Sequence, residues 1–505
     1  MKKTLISFFI LSIIFFSSCR KKFDTIPSKG DFSVNIDTLL MDSVFTNIAS
    51  RTYNFKIYNN SNKDIYIQKI FLEKGDQSFY RLNIDGTPGK VFENVMIHAN
   101  DSIFVFVEVT ADITQLPDPV YEEKLFIQDE EVTDYVLLTS FIKDADFYYP
   151  ERFPNGSRDS LTLYTDPQTG ETQKIAGFFL PDNTTFTADK PIVVYGHMAV
   201  PPGKTLSIEQ GAHLYFHFNS GLIVWENASL KVNGVRGNEV IFEDDRMEPD
   251  FENKPGMWNY IWLREGSINN EINYAIIKNA NIGLEVFPSG NNDPALIIKN
   301  TQIYNHSLVG IYGIATKIKA ENLVLNNFGI NAVRLQLGGN YDFKHCTITN
   351  FGNGIRNEDK ASFYASNFFD ANEEQIRYVN DLEQLNISNS IIYGNSSIEY
   401  YIEKDDGAIF NYQIKNTLIK FDDPQHHFTG ITELDFSDSN HYQSILLNQY
   451  PEFEDYNKNK MAIGDTSPCI NQGDINTALQ VPLDILEKDR TLSPDLGAYQ
   501  HITFQ

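Results

Sequence analysis

Arginine is the residue type best spaced for chemistry in this chain. Arg334, Arg356 and Arg377 recur 22 and 21 residues apart, with Glu358, Asp359, Glu373 and Glu374 nearby. If that spacing is one turn of a repeating structure, the three guanidinium groups stack on one face. Such a strip would grip the carboxylates of a uronate polymer, and Arg356 could serve as the base that takes the proton α to the carboxylate. The plainer expectation is an outward ladder of charges balanced by its neighbours. A second set is Trp258, Tyr260 and Trp262, which share a face if they lie on a strand. Flat aromatic surfaces of this kind stack on sugar rings, although packing against the core is the commoner use. Metal chemistry has less footing. His213 and His217 would stand about 13 Å apart along a strand, too far to share an ion, and His426–His427 lacks a third ligand at a fixed spacing. No metal and no cofactor is therefore expected. The pairs Asp244–Asp245, Asp405–Asp406 and Asp422–Asp423 adjoin turn residues and read as solvated turns.

The elements that must position these residues repeat. Across 273–420 an Asn-centred pattern recurs as "IIKNANI", "IIKNTQI", "KAENLVL", "DFKHCTI", "YASNFFD", "NISNSII" and "QIKNTLI". Its anchors are Asn279, Asn300, Asn322, His345, Asn367, Asn389 and Asn416, spaced 21, 22, 23, 22, 22 and 27 residues apart. The position two before each anchor is always apolar, and the position three after it is apolar everywhere except Asp370. Short β-prone runs at a fixed period of about 22 residues are the mark of a stacked solenoid, because one coil cannot bury its apolar face alone. Asn suits the anchor because it tolerates the left-handed conformation of a tight bend and can bond to the equivalent Asn one coil on. The expected fold class is all-β: a right-handed parallel β-helix solenoid preceded by an immunoglobulin-like β-sandwich.

Length and composition agree with more than one domain. The 505 residues are 42% hydrophobic, with 37 Phe and 26 Tyr, ample for a large core of strands. A net charge of −26 makes nucleic acid a poor partner. Of three cysteines, Cys346 lies in an apolar stretch and reads as a buried small hydrophobe, so no disulfide framework is expected. The N-terminus "MKKTLISFFILSIIFFSSC" has two lysines, a short apolar run and two serines before Cys19. That run is too short to span a membrane comfortably and has the form of a signal peptide. It resembles a bacterial lipoprotein signal, of the kind found in Bacteroidota. The resemblance implies that Cys19 is lipidated and that the protein sits in the cell envelope as an outer-membrane lipoprotein, the periplasmic or surface face left open.

In order, residues 1–19 read as the signal and 20–30 as a polar tether. Residues 31–146 alternate cleanly, as in "NFKIYNNSNKDIYIQKIFLEKG" and "IHANDSIFVFVEVT". They resemble the immunoglobulin-like modules related to the ASPM/SPD-2/hydin group. Residues 147–184 read as a connector with one hairpin. Residues 185–440 complete the β-helix of about eleven coils, roughly 50 Å long. Its first coils, "KTLSIEQGAHLYF" onward, resemble those of secreted pectate-lyase-like proteins. Polygalacturonase-like members of that architecture use a G-H-G and an R-x-K, whereas this chain offers Gly196–His197–Met198 and no R-x-K in the array. Residues 441–505 end in "SPCINQGD" and "PLDILEKDRTLSPDLGAYQH", which resembles the closing segment of Bacteroidota β-helix proteins. Arg490 is expected to bridge Asp484 and Asp495 in a bidentate way and cap the final coil. Without a complete catalytic motif, the expected role is non-catalytic binding of a glycan or an envelope protein along the β-helix face. A uronate-directed lyase or hydrolase and an architectural spacer are the alternatives.

Overall fold

The computed structural model describes residues 25–352, 354–356, 360–371 and 376–504. Cys19 and the signal segment, and Glu358, Asp359, Glu373 and Glu374, lie outside the described residues. The chain is all-β and divides into two compact units, Met1–Asp144 and Ala145–Gln505.

The first unit is two sheets around one core. One contains Ile65–Leu72, Val91–Ile97, Val120–Gln128 and Thr133–Lys143; the other contains Tyr53–Asn59, Tyr80–Ile84 and Ser102–Val109. Alternation explains the core: Phe55 and Ile57, Val105 and Val107, Leu125 and Ile127, and Val136 and Leu138 all point inward. Residues 26–30 are not a tether. Ile26–Pro27 pairs in parallel with Ile65–Tyr66, and the buried Ser28 donates to Asp129 at 2.8 Å. A polar, Pro- and Gly-containing stretch hides this role, since only the distant Asp129 satisfies it.

The second unit joins strands from Asp146–Tyr148 to Tyr442–Leu447 into one continuous network of parallel pairings, with one antiparallel hairpin, Ser160–Thr165 against Thr172–Phe179. Each strand pairs with the equivalent strand one coil later, so three faces recur. One face runs through His213–Phe216, Val240–Asp244, Ala275–Lys278 and Gln302–His306. The next runs through Gly221–Val224, Ile261–Leu263, Ile282–Val286 and the first half of Val309–Glu321. The third runs through Ser229–Asn233, Asn270–Asn273, Leu296–Lys299 and the second half of Val309–Glu321.

The expected left-handed anchors occur, in a corrected register. Asn279, Asn300, Asn322, His345, Asn389 and Asn416 all have positive φ. At one corner the backbone N–H of Tyr274, Asn300, Asn322, His345 and Asn389 each donates one coil onward, to Lys299, Glu321, Lys344, Ser388 and Lys415. Asn279 belongs to the following corner, with Asn305 and Asn327, and Asn327 Nδ2 donates to Asn305 Oδ1 at 3.2 Å. Asn367 marks no corner of this kind. It precedes the hairpin Phe368–Ala371 with Ile376–Val379, an insertion in the coil between His345 and Asn389. Asn is favoured at any left-handed bend, so the pattern alone cannot tell one corner from the next.

Two different segments close the coils. Residues 421–442 cover the end of the stack with rings: Phe436 lies 4.8 Å from Tyr442 and 5.0 Å from Phe421, and Tyr442 and Phe436 pack on Tyr400. Residues 448–504 run instead along the flank. Phe453, Met461, Ile463, Cys469, Ile485, Leu496 and Ala498 form one apolar cluster with Tyr274, Val324, Phe351, Ile391 and Leu418 of successive coils. The segment expected to cap the final coil is therefore a lateral cover.

Candidate functional site

The sequence-derived arginine face does not assemble. Arg356 is buried, its side chain 3% exposed, and forks onto the fully buried Glu399 at 2.8 and 2.5 Å. It also donates to Asn395 Oδ1 and to the carbonyls of Asn350 and Lys360. A guanidinium paired in this way with a carboxylate, out of solvent, cannot serve as a base. Arg377 lies on the inserted hairpin, bound bidentately to Asp370 at 2.7 and 2.8 Å and to Asp405 at 3.2 Å. Arg334 alone stands on a coil face.

The aromatic set divides as well. Trp258 is fully buried, stacked on Phe216 at 4.4 Å, and its Nε1 donates to the carbonyl of Lys278. The strand begins only at Ile261, so the alternation that would align Trp258 with Tyr260 and Trp262 does not reach back to it. Tyr260 and Trp262 remain half-exposed, ring centroids 6.0 Å apart.

What the coils align is another column. The register pairs Trp262 with Glu285, Glu285 with Tyr312, Tyr312 with Arg334, Arg334 with Tyr364, and Tyr364 with Tyr401. In each strand the flanking residues point inward: Ile261 and Leu263, Leu284 and Val286, Val333 and Leu335, Tyr400 and Ile402 are buried. Side-chain alternation then turns the middle residue outward. At about 4.8 Å per coil, the six levels make a strip roughly 24 Å long.

At its later end the strip opens into a groove of about 810 Å³ lined by Arg334, Tyr364, Tyr401, Glu403, Asn331 and Phe428, among others. The Arg334 guanidinium lies 4.8 Å over the Tyr364 ring and donates to Gln336 Oε1 and Asn331 Oδ1 at 2.9 and 3.1 Å. Among the described residues no carboxylate comes within ion-pair distance of it. Glu403 is held by the hydroxyls of Tyr364 and Tyr401, at 2.7 and 3.1 Å. Burial and that carboxylate hold the Tyr364 phenol above its ordinary range, so it stays a neutral donor.

At the earlier end Glu285 sits between Trp262 and Tyr312, half-buried, and no described residue bonds to its carboxyl. Burial pushes its pKa up to about 7. Glu285, Tyr312, Tyr364 and Tyr401 were not among the sequence candidates. Each is the middle residue of an outward-facing triplet, as in "LEV", "VRL" and "YYI", but corner loops of unequal length spread these 22 to 37 residues apart. The fixed period sought in the Asn array does not find them.

The other candidates resolve into structural roles. His213 and His217 have separate carboxylate partners, Glu243 at 2.5 Å and Asp245 at 2.7 Å. Asp244 is not in a solvated turn: it is buried, accepts from Asn279 Nδ2, and burial raises its pKa to about 6. Arg490 is buried and does not bridge Asp484 and Asp495. It donates to Asn322 Oδ1 at 3.0 Å and to the carbonyls of Gly497 and Ala498. The two carboxylates instead accept backbone N–H groups, Asp484 from Leu486, Lys488 and Gln500, and Asp495 from Asn471 and His501.

No protein family matches the chain, and no curated protein matches it. Among solved structures, similarity is found to the ASH/PapD-like domain of human CEP192, PapD-like domain 7, at 10% identity and a TM-score of 0.17, over 23% of this chain and 89% of that one. The periplasmic chaperone SfaE matches at 13% identity and a TM-score of 0.16, over 29% of this chain and 82% of that one. A family 123 glycoside hydrolase from Clostridium perfringens matches at 10% identity and a TM-score of 0.16, over 22% of this chain and 26% of that one. The neighbours of this all-β chain include immunoglobulin-like and PapD-like domains.

Proposed function

We propose that this is a lipid-anchored cell-envelope protein, tethered through Cys19, whose coils form a right-handed parallel β-helix that binds an acidic glycan without cleaving it. The parallel coil-to-coil register and the recurring left-handed corners support the β-helix reading. The observation that carries the binding reading is Arg334: a guanidinium with no ion-pair partner among the described residues, stacked on Tyr364 in an open groove beside Tyr401. An unneutralised cation beside aromatic rings suits a ligand that is both anionic and ring-shaped, since guanidinium grips carboxylate bidentately and rings stack on sugars. The outer-membrane address rests on the N-terminal signal alone.

The test uses the mature chain with Cys19→Ser, captured on a sensor and exposed to acidic and neutral polysaccharides. The expected result is salt-sensitive binding of an acidic polymer that Arg334→Ala weakens at least about tenfold and Arg377→Ala leaves intact. Absence of binding to every polymer would remove this reading in favour of a protein partner or a spacer. Accumulation of unsaturated sugar product would show that the protein is an enzyme.

A further inference from the structure

We propose that a second cleft, walled by Tyr393, Tyr450 and Tyr456 around Lys420, holds another acidic sugar unit of the same glycan. This rests on the glycan-binding reading above. The cleft has a volume of about 640 Å³ and meets the Arg334 groove at Asn395, which lines both. A glycan passing that corner of the coils reaches both. Two layers of the second unit build the cleft. Tyr393 stands on the strand Ile391–Gly394, and Lys420 directly follows the strand Phe410–Ile419 one coil later. Phe351 follows the preceding strand, Thr347–Asn350. The lateral cover supplies Tyr450 and Tyr456. Tyr456 stacks on Phe351 at 4.0 Å, and Tyr450 meets Tyr393 edge-on at 6.0 Å.

Lys420 reaches in among these rings. Its Nζ stands 5.1 Å from the centre of the Tyr393 ring and donates to the Gly394 carbonyl at 2.8 Å. An ammonium has three protons to donate, and no other described residue accepts from this one. No described carboxylate comes within ion-pair distance of it either. Of the two acidic groups whose field reaches it, Glu399 is spent on Arg356, and Asp422 makes no ion pair with it. The hydroxyls of Tyr393, Tyr450 and Tyr456 likewise have no hydrogen-bond partner among the described residues. Tyr450 is 47% exposed, so the cleft has an open ring to offer. The arrangement repeats that of Arg334 in different residues: a partly buried cation without a counter-ion, beside tyrosine rings. A carboxylate would fill the ammonium's unused donors while the sugar ring covers the aromatic faces. Burial holds the Lys420 pKa below its ordinary value. This ammonium is therefore incompletely solvated, and it gains more from an arriving anion than an exposed lysine would.

The experiment measures polygalacturonate binding to the Cys19→Ser chain and its Lys420→Ala, Lys420→Arg, Tyr450→Ala, Arg334→Ala and Lys299→Ala variants, with the unfolding midpoint of each recorded. We expect Lys420→Ala to weaken binding about tenfold, Tyr450→Ala to weaken it less, and Lys420→Arg to retain most of the affinity. Lys299 lies on the third face, already paired with Glu321; its removal controls for net charge and should leave binding unchanged. Bound polymer should also protect Lys420, but not Lys299, from acetylation read by mass spectrometry. That labelling uses the parent chain and does not depend on any variant folding. If Lys420 shows neither protection nor loss of affinity on substitution while Arg334→Ala weakens binding, the cleft is overturned and the groove reading stands. An equal loss from Lys299→Ala also overturns the cleft, since it would show an effect of charge without a site. Failure of polygalacturonate to bind the parent overturns the cleft, and the groove reading is then decided by the wider polymer screen.

Discussion

Arg356 and Glu399 face each other as a fork-to-fork ion pair in which the carboxylate is wholly buried and the guanidinium nearly so. Glu399 also accepts from Ser362 N and from Ser396 N, so both oxygens are saturated. Removing one partner leaves an uncompensated buried charge, which costs about 3–5 kcal/mol. Glu399→Ala and Arg356→Ala should each lower the denaturant midpoint accordingly, and Arg356→Met with Glu399→Leu should recover much of the loss. The glycan binding proposed for the Arg334 groove should not change per folded molecule; a specific loss of binding in Arg356→Ala would contradict the structural role.

The Arg377–Asp370 pair has similar distances and the opposite consequence. Both side chains are about half exposed, 46% and 51%. Water already solvates the separated charges, so such exposed pairs contribute little to stability. Arg377→Ala should therefore leave thermal unfolding nearly unchanged, and a large drop in calorimetry would show that the hairpin is integral to the coil.

Asn322 combines a left-handed backbone with three polar contacts. Its φ is 53°, its Nδ2 donates to Asn300 Oδ1 at 2.8 Å and to the carbonyl of Leu483 at 2.9 Å, and its Oδ1 accepts from Arg490. Asn322→Ala removes these bonds and keeps the strain of a Cβ in that region, for a loss of about 2–4 kcal/mol. Asn322→Gly should be milder by about 1 kcal/mol because it accepts the conformation. Urea denaturation of the pair checks the ordering.

Truncation after Leu447 should be worse than any point substitution. It uncovers Tyr274, Val324, Phe351, Ile391 and Leu418, an apolar flank spanning several coils. Exposed contiguous apolar surface drives association. Size-exclusion chromatography should show aggregates where the full chain elutes as a defined species.

The contributions of Asp244 and Glu285 to stability should decline as pH rises through the weakly acidic range, against an opposite contribution from His197, His306 and His345, whose burial lowers their pKa values. Folding raises Asp244 to about 6 and Glu285 to about 7, above the unfolded values of about 3.9 and 4.3. Between those limits these two carboxyls hold more protons in the folded chain than in the unfolded one, so their contribution falls with pH there and levels off above about 7. Glu285→Gln should raise the unfolding midpoint at pH 8, with the gain shrinking toward pH 5. A gain that grows at low pH would reverse the assignment.

The all-β class, the corners and the apolar positions were legible because they depend on local chemistry. Left-handed bends select Asn, and one buried face selects Ile, Val and Leu at alternate positions. The parts that went astray all depend on coil length. The apparent one-coil spacing of Arg334, Arg356 and Arg377 fails because a hairpin is inserted near them, which sends Arg377 outward while Arg356 turns inward to Glu399. Asp484, Arg490 and Asp495 were recognisable as a charged closing group, yet their partners are backbone groups, the His501 ring and the remote Asn322.

By itself, then, the sequence determined which residues bend, which are buried, and that the chain would be built of β-strands. Only the tertiary structure decided which outward side chains meet. Trp262, Glu285, Tyr312, Arg334, Tyr364 and Tyr401 become neighbours through interstrand hydrogen-bond register. That register counts strand residues and ignores the loops between them, so linear spacing carries no trace of it.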